Sequence, residues 1–165
     1  MLDQPIAQSI WFDNAAEEAA RFYVSVFPGS RILQITRDLE RGPNADVDPT
    51  LPVATVEFEI DGLRFVAVNA GSAVHMSEGI SIQVFCETQA EIDGYWSKLS
   101  EGADPQGQQG GCLTDRYGVQ WQVLPRRLIE LLKDESSPQA RRAIDAMQTM
   151  TKIDIARLER EVGLA

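Results

Sequence analysis

Gln120 and Gln122 stand two residues apart in the segment DRYGVQWQVLP, and Trp121 and Val123 occupy the alternate positions. Residues two apart in a strand share a face. The segment therefore reads as a turn at Gly118 and a strand stopped by Pro125, apolar on one side and carboxamide on the other. A carboxamide carries no charge and offers one acceptor oxygen and two donors. Such a face lines a water-facing surface, a ligand cavity, or a place where a metal-binding carboxylate could have stood. Few other residues are equipped for chemistry. His75 is the single histidine and the candidate general base or ligand, in a linker with Glu78 close by. One histidine does not define a Ser–His–Asp set. Cys86 and Cys112 are too few for a disulfide framework and match no zinc spacing, so both read as reduced thiols. No phosphate-binding glycine loop is present.

The chain that must position these groups has 165 residues and is 44% hydrophobic, enough for one domain or two small fused modules with a sizeable core. Acidic residues outnumber basic ones by 25 to 15, a net charge of -10. That disfavours nucleic acid and anionic membrane surfaces as partners. The start, MLDQPIAQSIWFD, lacks a basic region followed by an apolar core, and no apolar run is long enough to span a bilayer. A soluble cytoplasmic protein is expected.

Residues 8–12 read as a strand. A helix follows over DNAAEEAARFYVSVFPGS, with Asp13 or Asn14 as cap and Pro28-Gly29 as stop. Residues 31–38 read as a strand, LERGPNADVDPTLP as a loop, and 53–60 and 63–70 as a hairpin turned at Asp61-Gly62. The order then restarts. Residues 81–87 read as a strand, and Thr88 and Glu91 box the start of a helix whose apolar stripe is Ile92, Tyr95, Trp96 and Leu99. PQGQQGGCLTD holds a loop and short edge strands. After Pro125 the pattern is helical, with a second capping box expected at Thr151 and Asp154.

Laying Gln8 on Ser81 brings Trp11 onto Val84, Phe22 onto Tyr95 and Tyr23 onto Trp96. Laying Gly62 on Gly118 brings Phe65 onto Trp121 and Val66 onto Gln122. The unit strand–helix–strands thus occurs twice, which predicts a pseudo-symmetric α+β fold of two tandem βαβββ modules. Each helix covers one sheet face and leaves the other concave. Alternation assigns Trp11, Phe65, Ala67, Ile82, Val84, Trp121 and Val123 to the helix side. It assigns Gln8, Ile10, Phe12, Arg64, Val66, Val68, Ser81, Gln83, Phe85, Gln120 and Gln122 to the open side. Apolar walls with a few polar groups suit a ligand cavity. Arg64 there would meet an anionic ligand or an acidic neighbour.

WFDNAAEEAARFY, FPGSR, ISIQVFCETQAEIDGYWSKLSEG, LTDRYGVQWQVLP and KIDIARLE together resemble the PhnB-like branch of the vicinal-oxygen-chelate superfamily, related to glyoxalase and bleomycin resistance proteins. The resemblance runs from about residue 8 to about residue 160. It implies a glyoxalase-like domain over 1–125, with module one at about 5–70 and module two at about 80–125, followed by a helical extension over 126–165. It also implies a cup-shaped mixed sheet and a homodimer. In metal-dependent members, four strand positions supply His and Glu ligands; carried onto this chain they are Gln8, Val66, Ser81 and Gln122. Two amides, a hydroxyl and an aliphatic group are poor donors for a divalent ion, so no cofactor is expected. The branch often has tryptophan where Cys112 stands. The expectation is a small-molecule-binding protein with Gln8, Ile10, Phe12, Arg64, Val66, Ser81, Gln83, Gln120 and Gln122 as candidate ligand contacts. The alternatives are an enzyme, with a metal through unexpected ligands or with His75, and an interaction protein whose cup is closed by its own C-terminal helices.

Overall fold

The computed structural model describes residues 5–37, 52–72, 76–77, 79–134 and 136–164. His75, Glu78 and residues 38–51 lie outside them. The chain divides into two compact units, Met1–Met76 and Ser77–Ala165. The first contains β1 (Gln8–Phe12), α1 (Ala16–Val26), β2 (Arg31–Arg37), β3 (Val53–Ile60) and β4 (Leu63–Asn69). Its sheet order is β1-β4-β3-β2, with β1 parallel to β4 and the other pairs antiparallel. This is the expected βαβββ module. On β3, alternation sends Val56, Phe58 and Ile60 inward and Thr55, Glu57 and Glu59 to the other face. Tyr23 of α1 stacks on Phe58 at 6.1 Å, and Phe58 on Phe65 at 5.3 Å. All three rings are fully buried. Burying each is worth about 2 kcal/mol, which is what fixes the helix to this face.

Two local expectations are corrected in this unit. Neither Asp13 nor Asn14 caps α1; Ala15 holds the N-cap position with no side-chain bond. Asn69, at the end of β4, substitutes. Its Oδ1 accepts from the Ala16 N–H at 2.9 Å, and its Nδ2 donates to the Val53 carbonyl at 2.9 Å. One carboxamide thus caps the helix and ties β4 to β3. Glu17 and Glu18 still place negative charge in the first turn.

The second correction concerns the faces of β1. Gln8 pairs with Phe65, Ile10 with Ala67 and Phe12 with Asn69, while Ser9 pairs with Val66 and Trp11 with Val68. Paired residues share a face, so Gln8, Ile10 and Phe12 belong to the helix side and Ser9 and Trp11 to the open side. Burial agrees: Phe12 is 4% exposed and Trp11 51%. The Trp11 indole donates to Ser9 Oγ at 2.9 Å, along that same face. A register change of one residue exchanges every side chain between faces.

The second unit contains β5 (Ile82–Cys86), α2 (Gln89–Leu99), β6 (Cys112–Thr114), β7 (Gln120–Pro125), α3 (Arg126–Leu132), α4 (Pro138–Gln148) and α5 (Ile155–Val162). The sheet order is β5-β7-β6, with β5 parallel to β7. Where the first module has β2, this one has a turn of 3-10 helix at Pro105–Gly107 and a single bridge, Gln109 to Cys112. Thr88 and Glu91 close the capping box of α2. Ile92, Leu99, Leu113, Trp121 and Val123 are fully buried.

Helices α3 to α5 gather Leu128, Ala143, Ala146, Met150, Ile153, Leu158 and Val162 around Leu124, at the end of β7. Asp154 alone caps α5, accepting from the Arg157 N–H, so Thr151 is not the cap. Thr151 instead offers its carbonyl to the Gly111 N–H at 2.9 Å, beside the Gly110 bond to Met150 at 2.7 Å. Gln89 of α2 bonds both the Ile153 carbonyl and the Ile155 N–H. Asp93 of α2 bonds Lys152. The Lys152 hydrogen bond first, and that from Gln89 second, hold the Asp93 carboxyl below the ordinary aspartate range. A lowered folded value adds stability above the unfolded pKa, and the gain is lost as pH falls through the folded one. Lys152→Ala is expected to move the Asp93 titration upward, read by carboxyl-carbon NMR; an unmoved midpoint would deny the pairing. Among the described residues, no helix is long and apolar enough to cross a membrane.

Candidate functional site

The open face of the second sheet is built by register. Gln83, Gln122 and Cys112 stand side by side across β5, β7 and β6, and Gln120 stands beside Thr114. Their strand neighbours Ile82, Trp121, Leu113 and Val123 turn to the helix side. The carboxamides are joined in a directed chain. Gln83 Nε2 donates to Gln122 Oε1 at 2.8 Å, and Gln122 Nε2 donates to Ser81 Oγ at 2.9 Å. Gln120 Nε2 donates to Thr114 Oγ1 at 2.6 Å. Gln122, bonded at both ends, has its amide orientation set by the network. The chain leaves the carbonyl oxygens of Gln83 and Gln120 and the hydroxyl protons of Ser81 and Thr114 without a partner inside it. The patch is neutral and presents both donors and acceptors. Gln83 is exposed, and Ser81, Gln120 and Gln122 are half-buried.

Phe85 continues this face, 40% exposed. Its ring lies 5.9 Å from the Arg126 guanidinium carbon. With Arg126, Ile129 and Glu130 of α3 and Lys133 just past its end, it lines a groove of about 220 Å³. Within this unit the polar ties of the C-terminal segment run to α2 and to Gly110-Gly111, α3 borders the face at Phe85, and Gln83 is exposed.

The open face of the first sheet has another character. Arg64, Val66 and Val68 of β4 lie between Ser9 and Trp11 of β1 on one side and Thr55, Glu57 and Glu59 of β3 on the other. Arg64 and Glu59 are directly opposite, yet Glu59 pairs with Arg31 of β2 at 3.2 Å. Sequence reasoning missed Glu57 and Glu59, although alternation in VATVEFEI shows them. It also left Cys112 and Thr114 off the amide face, because a strand of three residues gives no periodic signal. His75 is outside the described residues.

The four positions that the resemblance assigns to a metal do not form a suitable set. Gln8 lies on the opposite face of the first sheet from Val66. Val66 has no donor atom. Gln122 Oε1 is engaged by Gln83, and its nitrogen bonds Ser81. Divalent transition ions select imidazole, thiolate or carboxylate. Among the described residues no three His, Cys, Asp or Glu side chains stand close enough to hold an ion. The thiols are not poised for nucleophilic work either. Burial, then the Glu91 carboxylate, push Cys86 up to about 11, and burial raises Cys112. Both stay protonated at neutral pH.

Residues 4–124 match the family model described as 3-demethylubiquinone-9 3-methyltransferase. The PhnB protein from Bacillus cereus is 30% identical over 74% of this chain and 99% of its own, with a TM-score of 0.61. A protein of known structure from Pseudomonas aeruginosa is 19% identical, covering 74% and 98%, with a TM-score of 0.57. The fosfomycin resistance protein FosX from Listeria monocytogenes is 15% identical, covering 81% and 99%, with a TM-score of 0.54. These last two show likeness of fold alone. No curated protein matches the chain. Helices α3 to α5 lie beyond the residues that the family model matches.

Proposed function

This chain belongs to the PhnB-like family of the vicinal-oxygen-chelate superfamily, and from that premise we propose that it binds a small molecule without a metal, through hydrogen bonds from an open sheet face. One observation carries the reading: Gln83, Gln122 and Ser81 form an oriented chain on an accessible surface, next to a groove where Phe85 and Ile129 meet the charged Arg126, Glu130 and Lys133. Holding the exposed Gln83 and the half-buried Gln122 in one orientation costs side-chain freedom in advance of binding, so a guest meets polar groups already aimed. A guest that accepts from a hydroxyl and donates to the free carbonyl oxygens uses what the chain leaves open.

Methyl transfer, which the family model's description names, is not part of this reading. β1 passes into α1 through Asp13, Asn14 and Ala15, with no glycine-rich turn, and neither sheet is the parallel doubly wound type of a Rossmann methyltransferase. The test is NMR of the glutamine side-chain amides during titration with a library of small metabolites. At least one member should shift Gln83, Gln120 or Gln122 saturably, and Gln122→Leu should weaken its binding about tenfold, the worth of one or two oriented hydrogen bonds. A library in which no member moves these resonances sinks the binding reading. Stoichiometric zinc or manganese in the purified protein, lost with Gln122→Leu, would favour the enzyme instead.

A further inference from the structure

A second groove lies on the C-terminal helices, beyond residues 4–124 that the family model matches. It runs between α4 and α5 and holds about 360 Å³, with the buried Ala146 as its floor. Arg142, Asp145, Thr149, Arg157 and Glu161 stand around it. Arg157 is half-buried and the other charged groups are exposed, so the groove opens to solvent. The two helices run antiparallel here. Arg142, early in α4, donates from Nη2 to the Val162 carbonyl at the end of α5, at 3.2 Å. Arg157, early in α5, donates from Nη2 to Thr149 Oγ1 at the C-cap of α4, at 2.8 Å. Along each helix the acid follows the arginine by one turn: Asp145 follows Arg142, and Glu161 follows Arg157. Antiparallel packing therefore sets Arg157 across from Asp145 and Arg142 across from Glu161, and the signs alternate around the rim.

These charges do not close on one another. Among the described residues, Arg21, Arg31, Arg37, Arg116, Arg126 and Arg127 each hold a carboxylate. No ion pair joins Arg142 or Arg157 to Asp145, to Glu161 or to any other described acid. Each groove arginine instead spends an N–H on a neutral acceptor, which aims the guanidinium without neutralising it. Thr149 is already satisfied, since its hydroxyl donates to the Ala146 carbonyl at 2.8 Å. We infer that this groove binds a small zwitterion, a free amino acid, laid across the two helices with its carboxylate on Arg157 and its ammonium on Asp145. Arg157 takes the carboxylate because it is the half-buried and tethered cation, whose charge-assisted bonds are less screened by solvent. A simple anion meets both groove carboxylates and a chain of net charge -10, and a simple cation meets both arginines. A zwitterion carries no net charge and completes the pair that the helix spacing holds open. The space available suits a small molecule. The inference goes beyond the binding reading above, since it concerns another region of the protein and another ligand.

The full chain is titrated with L-alanine and with 4-aminobutanoate, which differ in charge separation. Butanoate and butylamine, which carry one charge each, are titrated in parallel. The readouts are the Arg157 Nε–H and Thr149 backbone amide resonances. At least one zwitterion is expected to shift both saturably and to bind about tenfold or more tighter than either single ion. Asp145→Asn and Arg157→Gln should each abolish that advantage. Asp145 makes no hydrogen bond or ion pair among the described residues, so Asp145→Asn keeps the test sharp if Arg157→Gln loosens α5 by losing Thr149. Arg160→Gln, at an exposed α5 position that does not line the groove, should leave binding unchanged. Equal binding of zwitterions and single ions overturns the inference. So does a lack of saturable shifts, or an advantage that survives Asp145→Asn.

Discussion

Gly111→Ala is expected to lower the stability of the protein by about 3 kcal/mol or more, seen as a fall in the urea midpoint with little change of slope. Gly111 has φ +83, a conformation that costs an L side chain about 1–2 kcal/mol. Space adds to this. A Cβ at 111 would lie 2.9 Å from Leu124 Cδ2, 2.9 Å from the Val123 carbonyl oxygen and 3.1 Å from Ile153 Cγ1. Two of these are backbone or fully packed core atoms, and overpacking of that kind costs a further ~1–3 kcal/mol. The neighbouring backbone cannot retreat, because the Gly111 N–H bonds Thr151 at 2.9 Å and its carbonyl accepts from Val123 at 2.8 Å. Gly110 provides the control. Its φ is +63, but a Cβ there meets nothing nearer than the Met147 carbonyl oxygen at 3.8 Å. Gly110→Ala should therefore cost only the conformational part, about 1 kcal/mol. Equal costs for the two substitutions would show that close approach of the C-terminal segment is not what Gly111 serves.

The same glycine pair illustrates what one-dimensional reading can and cannot reach. QQGGC announces a backbone that needs freedom, but it does not say which distant segment comes close. The partner, Met150 and Thr151, is supplied by tertiary packing. The cap of α1 has the same character. Asp13 and Asn14 have the right chemistry in the right place, yet Asn69 does the capping from β4. The helices, the hairpin at Asp61-Gly62 and the α2 capping box were legible because their causes are local: periodicity, a turn dipeptide, and a box four residues wide. The faces of β1 were not. Ile10, Trp11 and Phe12 are all apolar, so alternation does not distinguish the two registers, and pairing with β4 decides. On β7 the polar and apolar residues alternate cleanly, and the amide face was assigned as it stands. The chain Gln83–Gln122–Ser81 follows from that alternation, but its direction depends on side-chain geometry that no spacing encodes.

Asp115→Ala should destabilise the protein by about 3 kcal/mol, and more than Asp115→Asn. Asp115 is the buried charged residue of the second unit, 4% exposed, at the turn between β6 and β7. Oδ1 accepts from the backbone N–H of Tyr117 at 2.8 Å and of Val119 at 3.0 Å. Oδ2 accepts from the Trp121 indole at 2.8 Å. The backbone closes the same turn, with Gly118 N–H on the Asp115 carbonyl at 3.0 Å and Asp115 N–H on Val119 at 2.9 Å. Alanine removes every side-chain acceptor and leaves a buried indole donor unpaired, a loss of about 1–3 kcal/mol for the indole alone. Asparagine keeps one oxygen for the backbone donors, but its NH2 then faces the indole N–H, donor against donor. Trp121→Phe removes the indole donor, so the cost of Asp115→Asn should shrink by about 1 kcal/mol in that background. The consequence reaches the amide face, because Trp121 sits between Gln120 and Gln122 and its ring fixes where that strand lies. In Asp115→Asn, the Gln120 and Gln122 side-chain resonances should broaden or move even where the protein remains folded. Sharp, unmoved glutamine signals in that variant, together with additive energies in the double mutant, would show that the turn and the face are independent.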